Sequence, residues 1–388
     1  MSGRPVPPTP PALAALRDAP AGRHSAVARG VAEPGGALVP LEVPRRAALP
    51  DDVVIDIDYC GLCHSDVHAA RGEWGQRQLP LVPGHEIVGR VSAVGHDVRD
   101  FHVGDRVGVG CLVDSCRDCE ACREGQQQFC ANGAVGTYGA TDGRTGEYTQ
   151  GGYSSSIVVN SGYVLRVPAS LDPAAAAPLL CAGITTYSPL RHFGVEPGDS
   201  VGVVGLGGLG HMAVKIAKAM GATVTVFTTS EGKRGAAREL GADHVVVSRD
   251  EAAMGKAAES LQLIIDTVAA PHELGPYFTA LRRDGTLVQL GLPAEPMPPV
   301  DPRLLLRRRI RYTGSIIGGI PETQEMLDFC AEHGVVSDVE IVDGDSLNEA
   351  WDRMVAGDVK YRFVLDNATL RVSGRAESTI ANTPEDQS

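Results

Sequence analysis

The chain has 388 residues, 43% hydrophobic and 21% charged, enough apolar material for two domains with a core each. Lysine and arginine number 35 against 48 aspartates and glutamates, a formal charge of −13, and the largest basic block is "LLLRRRIR" (304–311), so binding to a nucleic-acid backbone is disfavoured. No run of about 18 apolar residues predicts a membrane span. The opening "MSGRPVPPTPPALAALRDAP" lacks the basic and apolar regions of a secretion signal, which leaves the cytoplasm as the expected compartment. Thiols stay reduced there, and clustered cysteines bind metal or react.

Residues 1–26, rich in Pro and Ala, and the polar residues 369–388 carry no periodicity and read as flexible tails. From 27 to about 168 short apolar runs broken by glycines ("VVIDIDYCG", "IVGRVSAVG", "DRVGVGC", "YSSSIVVN") predict a β-rich domain. Within it lies "SCRDCEACREGQQQFC" (115–130), with Cys116, Cys119, Cys122 and Cys130 in CxxCxxCx7C order. Four thiolates satisfy tetrahedral zinc and leave no open position, so the loop reads as a structural zinc site. A disulfide pair, a redox CxxC and an iron–sulfur cluster are the competing readings, and the reducing compartment disfavours the first.

Three further segments hold candidates for a reactive metal: "YCGLCHSDVH" (59–68), "PGHEIVG" (83–89) and "LLCAGITTY" (179–187). Cys63, His85 and Cys181 could supply two sulfurs and a nitrogen, with a fourth position left for substrate oxygen or water. Taken singly, Cys181 could be a core residue and His85 a turn residue; they form a site only if the fold unites them.

From 200 to 317, "VGVVG", "TVTVF", "HVVVS", "LQLIIDTV", "TLVQLGL" and "RRIRYTGSII" alternate with Ala-rich, helix-length segments, the rhythm of a doubly wound parallel sheet. After the first run comes "GLGGLG", residues Gly205, Leu206, Gly207, Gly208, Leu209 and Gly210, with Gly205, Gly207 and Gly210 in GxGxxG spacing. Strand before and helix after give the fingerprint its required context for a dinucleotide pyrophosphate. The second strand ends in "FTTSEGKR": Thr228, Thr229, Ser230, Lys233 and Arg234 stand where an NAD site would carry an acid. Hydroxyls and a cation suit the 2′-phosphate of NADP(H); the competing reading is the start of the next helix with Ser230 as its cap. Beyond the sheet, "PETQEMLDFCAEHG" (321–334) reads as an amphipathic helix and "KYRFVLD" (360–366) as a closing strand.

Together "CGLCHSDVH", "GHEIVGRVSAVG", the four-cysteine loop, "CAGITTYSPL", "GLGGLG" with "TTSEGK", "GSIIGGIPETQEMLDFC" and "VKYRFVLD" cover residues 27 to 368 in order. This set resembles the zinc-dependent medium-chain alcohol dehydrogenases, within them the cinnamyl-alcohol-dehydrogenase-like branch of NADPH-dependent aldehyde reductases. The resemblance implies an α/β protein: a GroES-like β-rich catalytic domain (27–181) with a structural zinc lobe, a doubly wound Rossmann cofactor domain (182–313) and a return to the catalytic domain (314–368). It implies two zinc ions per chain, the catalytic one on Cys63, His85 and Cys181 with Glu86 as an occasional ligand. Asp66 would orient the His85 ring, Ser65 would contact the substrate oxygen and the cofactor ribose, and His68 would pass the proton to solvent. Thr185, Thr267, Gly291, Ser315 and Ile317 match positions along the ribose and nicotinamide, and Arg362 is a partner for Glu86 or the cofactor phosphates. Cys60 reads as packing, and Trp74 and Cys111 are expected to border the substrate pocket.

The reaction implied is reversible reduction of a small aldehyde to a primary alcohol by hydride from NADPH, in a homodimer. The rivals are an NAD-dependent polyol or secondary-alcohol dehydrogenase, against which the missing acid after "VTVF" argues, a zinc-free quinone reductase, which would lack the metal ligands, and a non-catalytic zinc- or nucleotide-binding redox-responsive protein.

Overall fold

The computed structural model describes residues 22–370. Most of the two expected tails, 1–21 and 371–388, lies outside the described residues. The strand Asp52–Gly61 is the hub of the first sheet: Val53, Ile55 and Ile57 are buried while Val54, Asp56 and Asp58 are only half-covered, the period-2 pattern of a strand with one face on a core. It pairs antiparallel with Ile87–Val94, Ser156–Asn160 and Arg362–Asp366. The sheet runs in the order Val339–Val342, Arg362–Asp366, Asp52–Gly61, Ile87–Val94, Arg106–Val109, Leu165–Arg166, with Ser156–Asn160 also on Asp52–Gly61. "RFVL" in Arg362–Asp366 is buried at every position, so this segment lies inside the sheet instead of closing its edge.

The second sheet has six parallel strands in the spatial order His244–Val247, Thr223–Thr228, Ser200–Val204, Leu261–Asp266, Leu281–Gln289, Arg311–Gly314. Its direction of winding reverses between Ser200–Val204 and Leu261–Asp266, the position at which such sheets bind dinucleotides. The helix Gly208–Ala219 buries Met212, Ala213, Val214, Ile216 and Ala217 completely against this sheet. Ala182–His192 and Ile320–His333 share the same core, through Ile184, Leu190, Met326 and Leu327. Ile317 and Ile320 touch both this core and that of the first sheet, so the two halves meet at this point.

Several boundaries differ from the sequence expectation. The strand His24–Val31 starts ahead of residue 27 because the whole of it pairs with Leu38–Arg45, which buries Ala26. Thr369 closes a 3-10 turn and Leu370 packs on the first core, so neither belongs to a tail. The strand Leu281–Gln289 begins five residues before "TLVQLGL": its pairing shifts register at Leu261/Leu263 and it passes through Asp284 at φ 64, an irregularity that hides "LRRDG" from pattern reading. Among the described residues, no helix is long and apolar enough to cross a membrane.

Candidate active site

Asp66 organises the first metal cluster. Cys63 caps the helix His64–Ala70, and the Asp66 Oδ2 atom accepts the Cys63 N–H at 3.0 Å in a capping box. Asp66 Oδ1 accepts the Gly84 N–H at 3.1 Å and the His85 Nδ1–H at 3.0 Å. That leaves His85 Nε2 for a metal, the arrangement in which a carboxylate fixes both the tautomer and the ring plane. Cys181 lies at the N-cap of Ala182–His192. The structure thereby brings Cys63, His85, Glu86 and Cys181 together: all four are buried, and their ligand atoms lie within 4.8 Å of one another. Two sulfurs, an imidazole and a carboxylate match the donor preferences of zinc.

Glu86 and Arg362 form a hydrogen-bonded ion pair, with side-chain exposures of 0% and 6%. Burial pushes the Glu86 carboxyl up to about 7 although Arg362 opposes the shift. Burial alone would ease loss of the Arg362 proton, but Glu86 and the thiols of Cys63 and Cys181 hold it on. Glu86 Oε2 has no hydrogen-bond partner among the described residues, and a Cβ on Gly61 would sit 1.9 Å from it. A buried carboxylate oxygen without a donor, inside a four-ligand cluster, fits a cation. The Cys63 thiol is held well below its usual range, first by its hydrogen bond with Cys181, in the direction of the metal-binding form.

Ser65 and His68 lie three residues apart on the same short helix, so they share a face. The Ser65 Oγ is 3.6 Å from the Cys63 Sγ. His68 is hydrogen-bonded through Nδ1 to Glu73 and stacks on Trp74 at 4.8 Å. Cys111 lines a narrow apolar pocket with Leu180, Ile184 and Ile317. Cys60 is fully buried, its thiol pushed well up by burial, and it lies outside the ligand cluster. Sequence reasoning missed Glu73, Tyr138, whose ring lies 5.8 Å from that of His85, and Tyr153, which donates to Asp66 Oδ2 at 3.0 Å. None of the three sits in a motif that marks it in the sequence; each is revealed by the partner it meets in the fold.

The glycine loop has the shape that a pyrophosphate needs. Gly205 turns at φ +89, Gly207 has open space where a Cβ would be, and a Cβ on Gly210 would sit 2.2 Å from Gly205 O. Leu206 is buried and Leu209 half-buried, anchoring the loop to the core, while Gly208 abuts Arg362, whose Cδ would lie 2.9 Å from a Cβ there. Thr267 donates its hydroxyl to Val204 O at 2.7 Å, so this side chain ties two strand ends together. Gly291 approaches Val268 O so closely that a Cβ would lie 2.1 Å from it. Thr185 is buried one turn below Cys181, and Ser315 donates its N–H to Gln289 O at 3.2 Å. Ile317 is half-buried, with φ +37.

At the end of Thr223–Thr228, Thr228 is buried and accepts the Ser230 N–H, while Thr229, Ser230 and Lys233 are exposed. No ion pair engages Lys233 among the described residues. Of the nearby acids, Glu231 is engaged by Arg234, which also donates to Val245 O, and Asp250 accepts the N–H groups of Ala252 and Ala253. Hydroxyls and an unengaged ammonium at a strand end without a free acid fit a 2′-phosphate. His211, buried on the helix Gly208–Ala219 that precedes this strand, bonds Ser337 Oγ through Nε2 at 3.0 Å and stacks on Tyr361 at 4.9 Å; burial pulls its pKa down to about 3.

The second cluster unites Cys116, Cys119, Cys122 and Cys130, again with ligand atoms within 4.8 Å. Backbone N–H groups of Cys116, Cys119 and Ala131 point at the sulfurs of Cys130, Cys116 and Cys119 at 3.4 Å each. Backbone donors at Asp118 and Cys119 lower the Cys116 thiol to about 6, so metal-binding thiolate is within reach at neutral pH.

Residues 49–169 match the family model described as alcohol dehydrogenase GroES-like domain, and residues 208–332 the one described as zinc-binding dehydrogenase. The chain is 55% identical over 334 residues to the aldehyde reductase YahK of Escherichia coli, spanning 86% of this chain and 95% of that protein. NADP-dependent alcohol dehydrogenase C 1 of Mycolicibacterium smegmatis is 55% identical over 336 residues, 86% and 95% of the two chains. Among solved structures, a cinnamyl alcohol dehydrogenase of Sorghum bicolor superposes with a TM-score of 0.87 at 45% identity, covering 90% of this chain and 100% of that one. The Helicobacter pylori CAD complexed with NADP(H) does so with 0.84 at 40% identity, over 90% and 100%. With both halves matched and this identity over nearly the full length of its relatives, the chain belongs to the zinc-containing alcohol dehydrogenases, built of a GroES-like catalytic domain and a Rossmann cofactor domain.

Proposed function

We propose that this protein reduces small aldehydes to primary alcohols, reversibly, with NADPH as hydride donor and two zinc ions per chain. Residues 27–181 and 314–368, extended to His24 by the pairing of the first strand and to Leu370 by its packing on the first core, act as the catalytic domain, 182–313 as the cofactor domain. The observation that carries the reading is the position of Arg362, which pairs with Glu86 of the metal cluster and packs against Gly208 of the nucleotide loop. Metal and cofactor sites are thus one side chain apart. The relatives named as aldehyde reductase and NADP-dependent alcohol dehydrogenase support the substrate and cofactor class.

Cys63, His85 and Cys181 hold the catalytic zinc, with Glu86 as an alternative ligand, and Cys116, Cys119, Cys122 and Cys130 hold the structural one. When bound, the metal contributes Lewis acidity toward a carbonyl and NADPH contributes the hydride. The chain supplies the rest. Ser65 hydrogen-bonds the substrate oxygen and the cofactor ribose, and gives up or receives the proton; His68, oriented by Glu73, exchanges it with solvent. Gly205 to Gly210 cradle the pyrophosphate, and Thr229, Ser230 and Lys233 bind the 2′-phosphate. Thr185, Thr267, Gly291, Ser315 and Ile317 shape the wall along the ribose and nicotinamide. Trp74 and Cys111 border the substrate.

The test is the initial rate of NADPH oxidation, and in parallel NADH oxidation, with benzaldehyde, cinnamaldehyde and butanal. Fast NADPH-dependent turnover is expected. A strong preference for NADH overturns the 2′-phosphate assignment, and no turnover by zinc-loaded protein overturns the catalytic one.

The protein works as a homodimer: Arg311–Gly314 leaves an open sheet edge, and Tyr312, Ile316 and Leu306 beside it are 38, 56 and 78% exposed. A monomer mass in solution by light scattering would refute this. It acts in the cytoplasm, in keeping with nine free cysteines and no disulfide among the described residues.

A further inference from the structure

The Asp66 carboxylate is fully buried and accepts four hydrogen bonds of 3.0–3.1 Å. Three come from the metal-ligand segments themselves: Cys63 N–H, Gly84 N–H and His85 Nδ1–H. The fourth comes from elsewhere, the Tyr153 hydroxyl, 3.0 Å from Oδ2. Tyr153 is itself 0% exposed, and the Trp351 Nε1 approaches its hydroxyl at 3.5 Å, with the ring centroids 6.3 Å apart. An indole N–H can only donate, so it meets the phenol oxygen, and the phenol's single proton is committed to Asp66. The Tyr153 ring also presses on the backbone ahead of His85, where a Cβ on Gly84 would lie 2.7 Å from Tyr153 Cδ1.

We infer that Tyr153, backed by Trp351 from the helix Leu347–Ala356, is a positioning residue of the catalytic metal centre: it locks Asp66, and through Asp66 the His85 ring and the Cys63 turn. The inference rests on the zinc assignment above. Outer hydrogen-bond partners of this kind are worth roughly 10- to 100-fold in metal affinity. Tyr153→Phe keeps the ring and its packing and removes only the donor.

The test follows zinc release from the holoenzyme to a chromogenic chelator, together with the visible spectrum after cobalt replaces the catalytic zinc. In Tyr153→Phe the catalytic zinc should leave about tenfold faster. The cobalt bands should shift and kcat should fall, while KM for NADPH and release of the four-cysteine zinc stay as in wild type. Trp351→Phe should change the same readouts in the same direction by less, and carries the test if Tyr153→Phe does not fold. Tyr163→Phe is the control: its hydroxyl bonds Ser115 Oγ at 2.6 Å, beside Cys122 in the other cluster, so it should spare the catalytic zinc. Unchanged release with an unshifted cobalt spectrum, or equal acceleration of both zincs, overturns the inference. A wild-type protein that binds no metal at Cys63, His85 and Cys181 refutes the zinc assignment instead.

Discussion

The two metal clusters are made of similar atoms and built in opposite ways. The four-cysteine cluster uses one segment, 116 to 130: short turns bring the sulfurs together, Cys116 and Cys119 stay half-exposed, and the surrounding donors are mostly the loop's own backbone N–H groups. The other draws on Cys63, His85 with Glu86, and Cys181, three segments joined only by the fold, all buried. Its outer partners are side chains, Asp66 and Arg362. A closed four-thiolate site needs only local spacing, whereas a site with a position for substrate must hold its ligands apart on rigid elements and shield them from water.

The sharpest test of that division is a pair of substitutions. Cys63→Ser should cut turnover by about 10³-fold or more, since loss of metal polarisation removes several kcal/mol of transition-state stabilisation. The fold should survive. Cys116→Ser should instead lower the thermal midpoint and the yield of folded protein, with zinc content measured for both. Equal loss of soluble protein in the two variants would abolish the distinction.

Next in size is the buried ion pair. Arg362→Met leaves the Glu86 carboxylate uncompensated and should destabilise by about 3–5 kcal/mol in urea unfolding. Glu86→Gln combined with Arg362→Met should recover most of that loss; a double variant no more stable than the single one would mean that the pair is not coupled.

On the cofactor side, Ser230→Asp should reduce the NADPH-over-NADH preference in kcat/KM roughly tenfold or more, by setting a carboxylate against the 2′-phosphate. Unchanged preference would mean that the phosphate lies elsewhere.

The last effect is read as a pH slope and concerns His211, whose pKa is about 3 in the folded chain against 6.5 for the ordinary side chain. Its neutral form is favoured by folding, so the stability is intact above pH 6.5 and declines as pH falls toward 3, by about 1.4 kcal/mol per unit at most. His211→Gln should flatten that decline between pH 6.5 and 5. Parallel pH profiles of wild type and variant would show that the imidazole is not held neutral.

Much of this architecture was readable before any coordinates. The alternation around "VGVVG" and "TVTVF" calls for a parallel sheet, because runs buried on both faces separated by helix-length segments have few other solutions. The CxxCxxCx7C loop and the glycine loop are legible because their chemistry is local. What escaped depended on distant partners. "LRRDG" begins a strand only because Leu261 accepts it across an irregular register. Tyr153 looks like any core aromatic until Asp66, 87 residues away, appears at its hydroxyl. Glu73 matters only because the short helix ends so that His68 faces it.

By itself, then, the amino-acid order determined the two kinds of domain, the closed thiolate loop, the glycine turn and the hydroxyl-bearing strand end. All of these follow from spacing, periodicity and side-chain chemistry within some thirty residues. Only the tertiary structure decided that Cys63, His85, Glu86 and Cys181 share one buried volume, and that Arg362 joins this volume to the glycine loop. The reason is physical: buried charges and polar groups need partners, and the sheets bring those partners from segments that the sequence keeps far apart.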